Sequence, residues 1–270
     1  MSVKFGLIGG GVMGEALLSR LINENIYKSS EIIVSEPSSA RREFLAEKYS
    51  VKVIKENTEV FSTTEYVIFL AIKPQVFTTI TQELSSVIGQ SHFPLIVSIL
   101  AGVTLEQLEA AFVDLPVVRA MPNTPATVGA GITAICAGKN TQPHHLEKAR
   151  QLFSAVGEVV EVSENLMDAV TGLSGSGPAY VALMVEALAD GGVASGLPRS
   201  VAQQLALQTV LGTATLLQET KLHPAELKDR VTSPGGTTIA GIAELEKAAF
   251  RSALIQAVKA ATNRSQELGK

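Results

Sequence analysis

Two stretches of this chain can hold an anion with bare backbone and hydroxyls. The first, Gly9-Gly10-Gly11-Val12-Met13-Gly14, is a G-x-G-x-x-G pattern that follows an apolar run and opens a helical one. In that setting Gly9 permits a tight turn, Gly11 lets the backbone approach a pyrophosphate with no Cβ in the way, and Gly14 lets the helix pack closely. The N–H groups of the first helical turn, from Val12 and Met13 onward, and the helix dipole then hold the anion. The second stretch, Val231-Thr232-Ser233-Pro234-Gly235-Gly236-Thr237-Thr238, lies directly before a helical pattern over Ile239 to Ala249. Such a start suits a carboxylate: N–H groups point outward, Gly235 and Gly236 leave room, and Ser233, Thr237 and Thr238 add donors. An ordinary helix cap uses one hydroxyl. Four here, Thr232, Ser233, Thr237 and Thr238, point to a ligand.

Other candidates lie where strands are expected to end. Ser35-Glu36 closes the second strand, and Glu36 stands where an acidic residue binds the ribose 2′-hydroxyl of NAD. Ser35, Ser38, Arg41 and Arg42 could instead bind a 2′-phosphate, so the residues leave NADH and NADPH both open. Ala71-Ile72-Lys73-Pro74 and Met121-Pro122-Asn123 leave further strands at their carboxyl ends, where ligands of open α/β sheets lie. The amide of Asn123 could bond a nicotinamide. A third small-residue segment, Asp168 to Tyr180, reads as a break in a helix.

The elements needed to position these groups follow from periodicity. Up to about Ser163, short β-branched runs alternate with helical patterns: strands over 3–8, 31–35, 51–54, 66–71, 95–98, 117–119, 132–137 and 158–162, helices over 12–23, 38–48, 76–88, 104–112 and 143–156. Thr104 with Gln107 forms a capping box. That alternation predicts a Rossmann-type doubly wound, mostly parallel sheet over residues 1–163. Over residues 164–270 Ala, Leu and Gln at helical spacing predict an all-helical domain, with Pro178, Pro198 and Pro224 in first turns. Only Glu186, Asp190 and Arg199 are charged between Ala169 and Leu217. Helices so apolar are expected to meet a second copy of the chain.

Composition excludes several classes. A length of 270 residues with 46% hydrophobic and 18% charged side chains is that of a folded protein of one or two domains. Net charge of −4 argues against a nucleic-acid or membrane partner held by bulk electrostatics. Within the most apolar region, Ala169 to Leu217, the longest uninterrupted apolar run, Ala179 to Val185, is far shorter than the roughly 20 residues that span a bilayer. Met1 to Gly11 lacks the core of a signal peptide, and the single cysteine, Cys136, excludes an internal disulfide, so a cytoplasmic protein is expected. Cys136 reads as a core residue, and His92, His144, His145 and His223 as surface or capping residues. No spacing suggests a metal.

Along its whole length the chain resembles the pyrroline-5-carboxylate reductase family. The resemblance is carried by Ile8 to Gly14, Ala71 to Gln75, Arg119 to Pro125, Asp168 to Tyr180, Ala189 to Gly192 and above all Val231 to Gly241. It implies a Rossmann domain followed by a helical dimerisation domain, with homodimers sometimes assembled into decamers. It also implies reduction of 1-pyrroline-5-carboxylate to L-proline by NADPH or NADH. Carried over from the family, Ser233, Gly235, Gly236, Thr237 and Thr238 bind the substrate, and Thr238 reaches the ring nitrogen. A β-hydroxyacid dehydrogenase shares the plan, and Gly172, Gly175 and Gly177 fit its helix-start motif. Its lysine position, however, is Val181, which cannot move a proton. A non-catalytic NAD(P)-binding sensor would have no use for the carboxylate cradle.

Overall fold

The structure is a computed structural model describing residues 2–89 and 93–269; Met1 and His92, which entered the readings above, lie outside it. From the amino terminus, β1 (Val3–Ile8), α1 (Val12–Asn23), β2 (Ile32–Ser35), α2 (Ser39–Tyr49), β3 (Lys52–Ile54), α3 (Asn57–Thr63), β4 (Thr64–Leu70), α4 (Phe77–Leu84), β5 (Leu95–Ser98), α5 (Leu105–Ala111) and β6 (Val117–Met121) alternate. They are followed by β7 (Gly131–Ala137), α6 (Pro143–Ser154), β8 (Gly157–Glu161) and the single turn α7 (Met167–Val170). One sheet results, in the order β3-β2-β1-β4-β5-β6-β7-β8. Neighbours are parallel except β6 and β7. Between those two lies only a 3₁₀ segment, Thr124–Val128, too short for a crossover, so the chain must double back.

The central strands are apolar throughout because both faces are covered. Phe5, Leu7, Val34, Val67 and Phe69 belong to one buried cluster, and Ile8, Ile33, Ile68 and Leu70, in alternation, to the other. The capping box forms as expected: Thr104 Oγ1 accepts from Gln107 N and Gln107 Oε1 accepts from Thr104 N. The helix expected over 76–88 is shorter, ending at Leu84. Sequence periodicity also missed α3, whose Thr, Val and Ser are weak helix formers. Burial of Val60 and Phe61 holds it, and the hydroxyls of Ser62, Thr63 and Thr64 bond back to Thr58, Glu59 and Val60 carbonyls.

The expected helix break contains a π-helical turn. Thr171–Gly175 widens the coil after α7, and a new helix begins at Gly177 with Ser176 as its N-cap. Compactness also divides the chain elsewhere than at 163/164: one unit is Met1–Gly175 with Ala261–Lys270, the other Ser176–Ala260. Met167 is buried in the second sheet-face cluster, and Ser265 Oγ donates to Asp168 Oδ1 at 2.6 Å, which ties both segments to the sheet unit.

The second unit consists of α8 (Gly177–Ala194), α9 (Arg199–Thr220), α10 (Pro224–Arg230), α11 (Thr237–Lys247) and most of α12 (Phe250–Leu268). Pro178 and Pro224 sit in first turns, whereas Pro198 is the N-cap of α9. Gly192 lets α8 approach α9 closely, since a Cβ there would stand 3.1 Å from that of Ala202. The unit's buried core is small: Ala189, Ala202 and Ala206. Large apolar side chains remain outside it, among them Leu183 (66% exposed), Leu205, Leu207 and Leu211 (56%). No described helix is long and apolar enough to cross a membrane.

Candidate active site

The glycine turn joins β1 to α1 at the centre of the sheet, where β2 lies on one side of β1 and β4 on the other. This is the switch point at which open α/β sheets bind ligands. Gly9 has φ +102° and donates its N–H to Ser35 O at 3.0 Å; a Cβ on it would stand 2.6 Å from Ala71 O. A Cβ on Gly14 would collide with the Gly9 carbonyl oxygen. Around Gly11, by contrast, a Cβ would meet nothing within 4 Å, and Gly11 caps α1 with no side-chain hydrogen bond. The turn therefore has the open face and uncapped helix N-terminus that a pyrophosphate requires. Val12, 73% exposed, and Met13 begin that helix.

Two cavities adjoin the turn. One of about 360 Å3 is lined by Met13, Ala71, Lys73, Pro74, Met121 and Pro122, six of the expected cofactor residues. Asn123 lines it too, but its amide is already employed: Nδ2 donates to Ser174 O at 3.2 Å, and Oδ1 accepts from Ile132 N at 3.0 Å. Asn123 thus braces the wall between the start of β7 and the π-helical turn. Lys73 is exposed and makes no ion pair among the described residues. The second cavity, about 420 Å3, has Gly9, Ser35 and Asn57 in its lining. Asn57, which sequence reading passed over, accepts from Ser35 Oγ at 2.7 Å. Its signal was its position, three residues beyond Ile54 at the carboxyl end of β3.

At the end of β2 the Glu36 carboxylate is held by two backbone donors, Gly10 N and Ser38 N, each at 3.0 Å. Arg41 reaches back to Gly10 O at 2.8 Å through Nε and pairs with Glu15 through Nη2. Arg42 donates to the carbonyls of Glu36 and Pro37. Burial pushes the Glu15 carboxyl up, but hydrogen bonds from Tyr49 Oη, Lys48 and Arg41 outweigh it and hold it at about 2.

In the second unit, residues 232–238 form a tight turn. Gly236 N donates to Ser233 O at 3.1 Å, Pro234 and Gly235 occupy the central positions, and Gly235 has φ +67°. Pro followed by a glycine of positive φ is the type II pattern. A Cβ on Gly236 would strike Ser233 Oγ and force that hydroxyl to turn away from its place in the turn. Gly236 caps α11 without a side-chain hydrogen bond. Of the four hydroxyls, Thr232 donates to Lys228 O at 2.6 Å, whereas those of Ser233, Thr237 and Thr238 have no partner among the described residues.

The remaining candidates are structural. Cys136 is buried, which pushes its thiol up to about 12. His145 Nδ1 accepts from Gln142 N, and His223 Nδ1 accepts from Ala225 N, both as helix caps. Arg119, at the head of the Arg119–Pro125 segment, is buried and paired with Glu164 at 3.0 Å.

A mostly parallel sheet with a glycine turn at its switch point, cavities beside that turn and a helical unit after it define a Rossmann-type dinucleotide-dependent oxidoreductase. The family model described as pyrroline-5-carboxylate reductase dimerisation matches residues 164–268, and one described as NADP oxidoreductase, coenzyme F420-dependent, matches residues 4–102. The chain is 62% identical over 270 residues, all of both chains, to the pyrroline-5-carboxylate reductase of Synechocystis sp.. Among solved structures it resembles a pyrroline-5-carboxylate reductase from Coxiella burnetii (36% identity, all of both chains, TM-score 0.92). It also resembles the pyrroline carboxylate reductase of Plasmodium falciparum solved with NADP bound (32% identity, 99% of this chain and 98% of that one, TM-score 0.88). The chain belongs to the pyrroline-5-carboxylate reductase family, and the expectation drawn from its residues is met.

Proposed function

We propose that this chain reduces the cyclic imine 1-pyrroline-5-carboxylate to L-proline with NADH or NADPH, and that Thr238 is the catalytic residue at the ring nitrogen. The reduced nicotinamide supplies the hydride that the imine carbon takes up. Gly9, Gly11, Val12, Met13 and Gly14 hold the pyrophosphate. Ser35 and Glu36 serve the adenosine ribose, and Ala71, Lys73, Pro74, Met121, Pro122 and Asn123 wall the nicotinamide end.

The substrate carboxylate goes to Ser233, Gly235, Gly236 and Thr237, whose hydroxyls and amides are donors at an uncapped helix start. The Thr238 hydroxyl fixes the ring nitrogen and so orients the C=N bond. A protonated imine is already an electrophile, so orientation suffices where a weaker acceptor would need a strong acid. The product amine takes its proton from water on release. The observation that supports this reading is the set of three unspent hydroxyls, Ser233, Thr237 and Thr238, around a turn that leaves α11 uncapped.

The working unit is a homodimer in the cytoplasm, with residues 164–270 as the substrate-binding and dimerisation segment. The apolar side chains that α8 and α9 leave outside their own unit support the first assignment, and the single buried cysteine supports the second. Oxidation of NADH or NADPH followed by absorbance with pyrroline-5-carboxylate tests the activity. Turnover with at least one dinucleotide is expected; none with either would refute it.

A further inference from the structure

The end of β2 carries both an acid and the basic and hydroxyl groups that a 2′-phosphate would need, and their hydrogen bonds separate the two cases. Both oxygens of Glu36 are anchored by backbone N–H groups, Gly10 at one and Ser38 at the other. The carboxylate is thereby fixed beside the glycine turn, and each oxygen retains a lone pair able to accept from a ribose hydroxyl. Among the described residues it forms no ion pair, so its charge is not cancelled locally.

The groups that could receive a phosphate already take part in hydrogen bonds, Ser38 Oγ as the acceptor of Arg41 N at 3.4 Å. Ser35 is buried and its hydroxyl donates to Asn57. Arg42 spends Nη1 on the carbonyls of Glu36 and Pro37. Arg41 reaches the glycine turn, and it is clamped between Gly10 O and Glu15. Glu15 is in turn bonded by Lys48 and Tyr49, so its negative charge is a fixed part of the cluster. A 2′-phosphate, carrying about −1.5 to −2 charge, would meet the fixed Glu36 carboxylate and would have to compete with Glu15 for the charge of Arg41. A 2′-hydroxyl meets an acceptor already in place.

We propose that Glu36, anchored by Gly10 and Ser38, together with Arg41 held on Glu15, makes this chain select NADH over NADPH. The selection rests on the dinucleotide-binding reading above and adds to it the identity of the preferred coenzyme. Glu15 acts as a positioning residue, through Arg41.

Direct binding tests it on the full-length protein without substrate, by calorimetric titration with NADH and with NADPH at fixed ionic strength. NADH is expected to bind at least about tenfold more tightly. In Glu36→Gln the charge goes while an acceptor oxygen stays, and the ratio of the two dissociation constants should shrink by tenfold or more, through tighter NADPH. Glu15→Gln, which frees Arg41, should shift the ratio in the same direction by a smaller factor. Equal affinities, or tighter NADPH, in the unmodified protein would overturn the selection while leaving the reductase reading intact. A ratio unmoved by Glu36→Gln would overturn the assignment to that residue. No binding of either dinucleotide to folded protein would overturn the selection and the dinucleotide-binding reading together.

Discussion

At the scale of single residues, the substrate turn and the glycine turn make separable demands. Thr238→Ala removes one hydroxyl whose only proposed partner is the imine nitrogen. We expect kcat/KM for pyrroline-5-carboxylate to fall about 10- to 100-fold with dinucleotide affinity unchanged, as steady-state kinetics beside a binding titration would read. Equal loss in both would remove Thr238 from its assigned role. Gly11→Val has the opposite signature: a Cβ there meets no protein atom, so the fold should stand, but the branched side chain fills the space left for the pyrophosphate. Dinucleotide binding should weaken by more than about tenfold with the melting temperature little changed, and normal binding would displace the cofactor from the turn. Much of this site could be read from residue types alone, because Gly11 and Gly14 do different jobs that spacing reveals. Asn123 could not. Its amide was expected at a nicotinamide, whereas backbone groups 9 and 51 residues away along the chain use it.

Elements were legible where one interaction dominates and illegible where tertiary packing overrides propensity. β1 and α1 have the bounds their periodicity predicts, Val3–Ile8 and Val12–Asn23. The helix α3, rich in Thr and Ser, exists because Val60 and Phe61 are buried, which no local pattern announces. The π-helical turn at Thr171–Gly175 was visible only as a cluster of small residues, since propensity does not separate i→i+4 from i→i+5 bonding. Asn123 is the strut between that turn and the start of β7. Asn123→Ala leaves the Ile132 N–H without its acceptor, and we expect about 1–3 kcal/mol of destabilisation in urea unfolding. A change below a few tenths of a kcal/mol would show that the strut is redundant.

For the whole molecule, the low charge between Ala169 and Leu217 anticipated the apolar surfaces that α8 and α9 leave outside their own unit. A helix pair with an all-alanine buried core and leucines outside it needs further cover. Leu211→Glu on α9 places a charge among those leucines. Light scattering should then show a smaller assembly than for the unmodified chain, with the circular dichroism of the monomer retained; an unchanged mass would place the interface elsewhere. The order of assembly within one chain follows from Ser265 and Asp168. The sheet unit is discontinuous, and the hydroxyl that closes on Asp168 belongs to the last turns of α12. During synthesis, the nucleotide-binding unit emerges first from the ribosome but is complete only once residues 176–260 of the helical unit have been made. A chain truncated ahead of Ser265 would therefore be damaged in the unit whose first strand was made about 260 residues earlier.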